Sequence, residues 1–212
     1  MTQVFAFGHS TTHGFWDSEG GWVQRLRKTL DKKTLSDSEK YYFELYNLGV
    51  PGNDSGQLLE RFETEIETRL WEDDDTVILI QIGSNDIQYF NEEYRLRTSK
   101  DDFKQNILSL ISKAREYTEK IIFVGEPIIT IEGSIPWAKD KELSDNRLKN
   151  YTDTVRRICE NQGIVYIDLR SDYTKKQWSD KLEDGCHPNN KGHKLIFEKV
   201  KEKMKERQII DI

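Results

Sequence analysis

The sequence predicts an α/β protein of three layers, with a five-stranded parallel sheet between two helical layers (α/β/α), and three observations lead there. Apolar, β-prone runs alternate five times with longer stretches of helical periodicity. The runs at residues 4–7 and 76–82 are almost wholly apolar, as strands buried on both faces of a parallel sheet must be. Each helical stretch instead carries one apolar stripe, so each covers one face of a sheet. At 212 residues the chain fits one domain, residues 1–212, able to bury a full-sized core.

Taken in order, residues 4–7 form the first strand, which stops at Gly8 and delivers His9 and Ser10. Trp22, Leu26 and Leu30 recur at helical spacing, which predicts a helix over residues 20–32, and the polar residues 31–40 read as a surface loop. Residues 42–48 are a second strand. Leu58, Leu59, Phe62, Ile66 and Leu70 mark a helix over residues 55–70, so residues 52–54 are the turn into it. Residues 76–82 are the central strand and deliver Gly83, Ser84, Asn85 and Asp86. The polar and aromatic residues 88–100 follow as a wall or lid, until Ser99 and Asp102, at capping-box spacing, open a helix carrying Phe103, Ile107, Leu110, Ile111 and Ala114. A fourth strand covers residues 120–125, followed by an irregular loop over residues 126–143. Leu148, Tyr151, Val155 and Ile158 mark a helix closed by Gly163; a fifth strand covers residues 164–169, and a last helix residues 192–204. Right-handed crossovers join such strands, and ligands sit beyond their carboxyl ends where strand order reverses.

The chemistry gathers at those ends. A serine hydroxyl is a poor nucleophile unless a histidine takes its proton and a carboxylate holds that histidine. Asp184 stands three residues before His187, a spacing that brings both side chains to one side, where Asp184 can fix the His187 tautomer. Ser10, the turn at Gly52 and the turn at Asn85 each follow a strand. The backbone N–H groups of Ser10 and Gly52, with the Asn85 carboxamide, would supply three donors to an oxyanion. Each residue alone has a plainer reading: Ser10 as a helix cap, Gly52 as a residue needed for positive φ, Asn85 as a turn residue, Asp184 as a cap and His187 as a surface histidine. His9 and His13 also flank Ser10, but the adjacent acid favours His187 as the base.

These four blocks, in this order, resemble those of the SGNH hydrolase superfamily, the GDSL-type esterases and lipases, over nearly the whole chain. The resemblance implies a flavodoxin-like SGNH hydrolase fold, with Ser10 as nucleophile, His187 as base, Asp184 as its orienter, and Ser10, Gly52 and Asn85 as the oxyanion hole. It implies a serine hydrolase cleaving carboxylic esters or thioesters through an acyl-serine intermediate. The alternatives are a carbohydrate acetylesterase of the same fold and a degenerate, non-catalytic binding module. One departure stands out: the family usually has Asp where this chain has His9, which changes the packing of the nucleophile's turn without removing a reacting group.

Composition narrows the partners. A net charge of −6 argues against nucleic acid, which demands clustered basic surface. No Cys/His group has zinc-ligand spacing, and acyl transfer from serine requires neither metal nor organic cofactor, so the expected partner is a small-molecule ester. Met1 leads directly into the first strand with no apolar leader, and no run approaches a membrane span, which gives a cytoplasmic expectation. Cys159 and Cys186 read as two buried thiols, with Cys186 a small filler beside His187. Trp16, Tyr89, Phe90 and Trp137 either line an acyl or aryl pocket or pack in the core, and His193 reads as a packing or surface residue.

Overall fold

The structure is a computed structural model, and it describes residues 1–71 and 74–211. Its strands and helices run β1 (Thr2–Gly8), α1 (Ser10–His13), α2 (Gly21–Ser36), β2 (Phe43–Gly49), α3 (Ser55–Glu67), β3 (Asp75–Gln81), β4 (Tyr89–Phe90), β5 (Arg95–Leu96), α4 (Lys100–Arg115), β6 (Ile121–Val124), β7 (Gly133–Ile135), β8 (Ala138–Leu143), α5 (Asp145–Gln162), β9 (Val165–Ile167), α6 (Lys175–Ser179) and α7 (Asn190–Glu206).

The main sheet is parallel, in the order β2-β1-β3-β6-β9. Alternate side chains of its inner strands enter opposite cores. Phe5, Phe7, Ile78 and Ile80 pack with Leu58, Phe62, Phe103 and Ile107 under α3, α4 and α5. Val4, Ala6, Val77 and Leu79 pack with Trp22, Leu26, Ile196 and Val200 under α2 and α7. Burial of such side chains is worth about 1.5–3 kcal/mol each and is what orders the three layers.

Register sets the site. Gly8 pairs with Gly49 on β2 and with Gln81 on β3, so three strands end level. The chain leaves β1 towards β2 on one side and returns to β3 on the other, which makes the β1/β3 edge the switch point of the sheet. At Gly49, a Cβ would collide with the His13 backbone, so α1 lies directly on the end of β2 only because that residue is glycine.

Four corrections follow to the sequence reading. Residues 126–143 are not irregular throughout: β7 and β8 form a hairpin turning at Pro136 and Trp137, and with β4 and β5 they make a second, antiparallel sheet in the order β5-β4-β8-β7. Residues 31–36 continue α2 rather than forming a loop. A short α6, begun by a Thr174–Gln177 capping box, fills the polar segment after β9. Ser10 itself lies in a one-turn helix. Among the described residues, no helix is long and apolar enough to cross a membrane.

Candidate active site

Ser10 is the first residue of α1, whose amino end is capped by His9: the His9 Nδ1 accepts from the Thr11 N–H at 3.3 Å. Ser10 is only 7% exposed yet borders a cleft. On one side of it, His187 Nε2 stands 3.1 Å from Ser10 Oγ. The other ring nitrogen of His187, Nδ1, is 2.7 Å from Asp184 Oδ2. An ionised carboxylate only accepts, so Nδ1 carries the proton and Nε2 keeps a lone pair towards the serine.

Asp184 is itself held in place. Its Oδ1 accepts from the N–H groups of Cys186 at 2.9 Å and His187 at 2.7 Å, which folds residues 184–187 into a tight turn rather than the helical turn that the spacing also allowed. Burial pushes the Asp184 carboxyl up, but the His187 side chain and these amides overcome it and hold the group below the usual carboxylate range. The turn is pinned to the chain after β6, where the N–H groups of Thr130 and Ile131 donate to the Gly185 carbonyl.

The expected oxyanion donors face the same cleft: Ser10, Gly52 and Asn85 all line it. Gly52 has φ +82°, a left-handed conformation that side chains resist, and its N–H finds no acceptor among the described residues. The Asn85 Nδ2 donates to the Asn53 carbonyl at 2.9 Å, while its Oδ1 accepts from Gln88 Nε2 at 2.9 Å. These bonds fix which way the carboxamide points and leave its second N–H free.

The cleft has a volume of about 270 Å³. Its apolar wall comes from the second sheet, through Ile135, Leu143 and Trp137, together with Cys186. Of the four aromatic residues considered from sequence, Trp137 lines it and Trp16, Tyr89 and Phe90 do not; Phe15, which sequence reasoning passed over, does. The rings of Phe15 and Trp137 each stand 5.9 Å from that of His187. Burial pushes the Cys186 thiol well above its ordinary pKa, as befits a filler and not a reactive thiolate.

Sequence reasoning also missed Glu126. Its carboxylate is buried at the end of β6, with Oε1 2.7 Å from His9 Nε2 and Oε2 accepting from the Ser84 hydroxyl at 2.7 Å. The available signal was position: an acid immediately beyond an apolar strand, at the edge where Ser10 and Asn85 emerge. Burial pushes this carboxyl up, and the His9 imidazole and the Ser84 hydroxyl and amide outweigh burial and hold it low. His9 Nδ1 also lies 3.4 Å from Ser10 Oγ, so two imidazoles flank the serine, with His187 the nearer. His13 sits against Phe15 instead, and His193 is a buried packing residue, its Nδ1 accepting from the Trp22 N–H and its Nε2 bonded to the Phe15 carbonyl.

Comparison with known proteins agrees with this architecture. Residues 4–200 match the family model for GDSL-like lipase/acylhydrolase. The uncharacterized protein YpmR of Bacillus subtilis is 25% identical over 225 aligned positions, 95% of this chain and 81% of that one. Among solved structures, a lipase/acylhydrolase from Enterococcus faecalis superposes with a TM-score of 0.71 at 21% identity, over 98% of this chain and 97% of the other. The acetyl xylan esterase AlAXEase gives 0.72 at 23% identity, over 94% and 98%. Axe2, an acetylxylan esterase from Geobacillus stearothermophilus, gives 0.70 at 17% identity, over 95% and 93%.

Proposed function

The chain belongs to the GDSL-like lipase/acylhydrolase family, and on that premise we propose that it hydrolyses carboxylic esters or thioesters through an acyl-serine intermediate on Ser10. The observation that carries the reading is the continuous chain Ser10 Oγ to His187 Nε2, 3.1 Å, and His187 Nδ1 to Asp184 Oδ2, 2.7 Å.

In this mechanism the Ser10 hydroxyl attacks the acyl carbon as its proton passes to His187 Nε2. Asp184 stabilises the imidazolium without taking the proton. The carbonyl oxygen, now negative, is met by the N–H groups of Ser10 and Gly52 and the free N–H of Asn85. Collapse of the tetrahedral adduct breaks the bond to the alcohol or thiol, which leaves with the proton from His187. Water then repeats the sequence on the acyl-serine, with His187 again as base. The chain's own residues complete both halves with no cofactor.

A cleft of about 270 Å³ is small for a ligand site and favours short acyl groups. The same size, with the half-exposed rings of Phe15 and Trp137 at its mouth, supports a second reading, an esterase removing acetyl groups from carbohydrate; two of the similar structures carry acetylxylan esterase in their names. The test is hydrolysis of p-nitrophenyl esters from acetyl to dodecanoyl by the wild type and by Ser10→Ala, with an acetylated xylo-oligosaccharide as a third substrate. Turnover that vanishes with Ser10 and falls with chain length is the expected result. A wild type that hydrolyses none of them and resists a fluorophosphonate would leave a binding module as the reading.

A further inference from the structure

This inference rests on the acyl-serine reading and concerns what holds its parts in register. Two turns must keep a fixed separation: the one presenting Ser10, after β1, and the one presenting Asn85, after β3. Each strand delivers its turn to the same edge, but no backbone hydrogen bond joins Ser10 to Asn85 among the described residues. A side-chain relay does. Glu126, from β6's end, takes His9 Nε2 on one carboxylate oxygen and the Ser84 hydroxyl on the other, both at 2.7 Å. His9 precedes the serine and caps its helix; Ser84 precedes Asn85. We infer that Glu126 is a positioning residue for acyl transfer, gripping the nucleophile's turn through His9 and the oxyanion turn through Ser84 with one buried carboxylate.

The pairing also accounts for the unusual histidine. Glu126 and His9 are 2% and 1% exposed, so no solvent screens what faces the carboxylate. With Glu126 in place, an aspartate at position 9 would set two buried carboxylates against each other, whereas the imidazole donates Nε2–H to one. Histidine at position 9 and glutamate at 126 are therefore complementary choices. Because Nδ1 already accepts from the Thr11 N–H and Nε2 faces Glu126, both His9 ring nitrogens are engaged, and the serine's proton is left to His187.

The test is a set of four proteins besides the wild type: Glu126→Ala, Glu126→Gln, His9→Asp, and His9→Asp with Glu126→Gln. Aspartate caps a helix as well as histidine does, so His9→Asp isolates the facing charges from loss of the cap. For p-nitrophenyl acetate, Glu126→Ala and His9→Asp are each expected to lower kcat by up to about 100-fold, the penalty of ångström-scale misplacement, with KM changed far less. The double variant, which sets a carboxylate against an amide, is expected to recover at least about tenfold of the kcat lost in His9→Asp, a coupling that independent sites do not show. Loss of Tm with kcat intact would make Glu126 merely structural and overturn the inference. Absence of rescue in a folded double variant would do the same, and that arm decides the question even where Glu126→Ala fails to fold. An active wild type with indifferent variants overturns the positioning role alone; a wild type inert to esters and fluorophosphonate overturns the acyl-serine reading and this role together.

Discussion

The Asp86 carboxylate receives both polar hydrogens of Ser55, the backbone N–H at 3.0 Å and the hydroxyl at 2.5 Å. Ser55 begins α3, directly after the Gly52 turn, and Asp86 directly follows Asn85. The bond pair therefore ties one expected oxyanion turn to the other from behind, inside the core.

That tie predicts a pH signature. Burial pushes the Asp86 carboxyl up to about 6, against the opposing pull of Ser55 and Thr98. An unfolded aspartate titrates near 3.9, so the folded chain holds this proton more tightly. The stability it contributes is fully present below about pH 4 and is lost as pH rises through about 6, on the order of 3 kcal/mol in all. Carboxylates held low, such as Asp184 and Glu126, act with the opposite sign, but they cancel in a comparison with Asp86→Asn. Urea unfolding at pH 4, 5, 6 and 7 is expected to show the wild type losing stability relative to Asp86→Asn as pH rises; a difference that stays constant would contradict the buried titration.

The central architecture was legible because its signals are local. Strands β1 and β3 are apolar on both faces, and Ser10 and Asn85 announce themselves by following such runs, as Gly52 does by following β2. What escaped notice depends on distant partners. Strand β8 reads Ala-Lys-Asp-Lys-Glu-Leu, with little apolar pattern, and is made a strand by its pairing, with β7 across the hairpin and with Tyr89 and Phe90, some fifty residues away in the chain, opposite Glu142 and Lys141. The last turn of α2 buries nothing after Leu30, and Leu35 is 85% exposed, so periodicity stopped where the helix did not. Glu126 acquires its role from His9, 117 residues earlier. The sequence marked His9 as anomalous but could not show what answered it.

Asn85 makes the sharpest prediction for the oxyanion site. One N–H is spent on the Asn53 carbonyl; in the proposed mechanism the other meets a charge that exists only in the transition state. Asn85→Ala is expected to lower kcat by about 100- to 1,000-fold, with KM nearly unchanged and the fold intact by circular dichroism. An equal rise in KM at constant kcat would assign the carboxamide to substrate binding instead.

Asp184 tests the base. Asn in its place can still accept from the Cys186 and His187 amides, but its NH₂ would face His187 Nδ1 and draw the ring into the tautomer with a proton towards Ser10. Asp184→Asn is expected to lose about 10⁴-fold in kcat at neutral pH. Fluorophosphonate labelling slowed in proportion would place the defect in activation of the serine; labelling at the wild-type rate would remove Asp184 from that role.

Trp137 tests whether the second sheet does more than wall the cleft. It sits at the turn of the β7–β8 hairpin with its ring centroid 5.9 Å from that of His187, and Phe15 stands at the same distance. A neutral imidazole gains little from such neighbours, but in the proposed mechanism the imidazolium formed as Ser10 gives up its proton is a cation within reach of two π faces. At a half-exposed site each contact is worth about 0.5–1 kcal/mol, and it favours the charged state over the neutral one. Trp137→Ala is therefore expected to reduce kcat on acetyl esters about two- to fivefold. Trp137→Phe, which keeps a π face, should retain most of the rate. If the ring only narrowed the cleft, Trp137→Ala would instead raise turnover of longer acyl chains and leave acetyl turnover unchanged, so the ratio of acetyl to octanoyl kcat in the two variants separates the electrostatic role from the steric one.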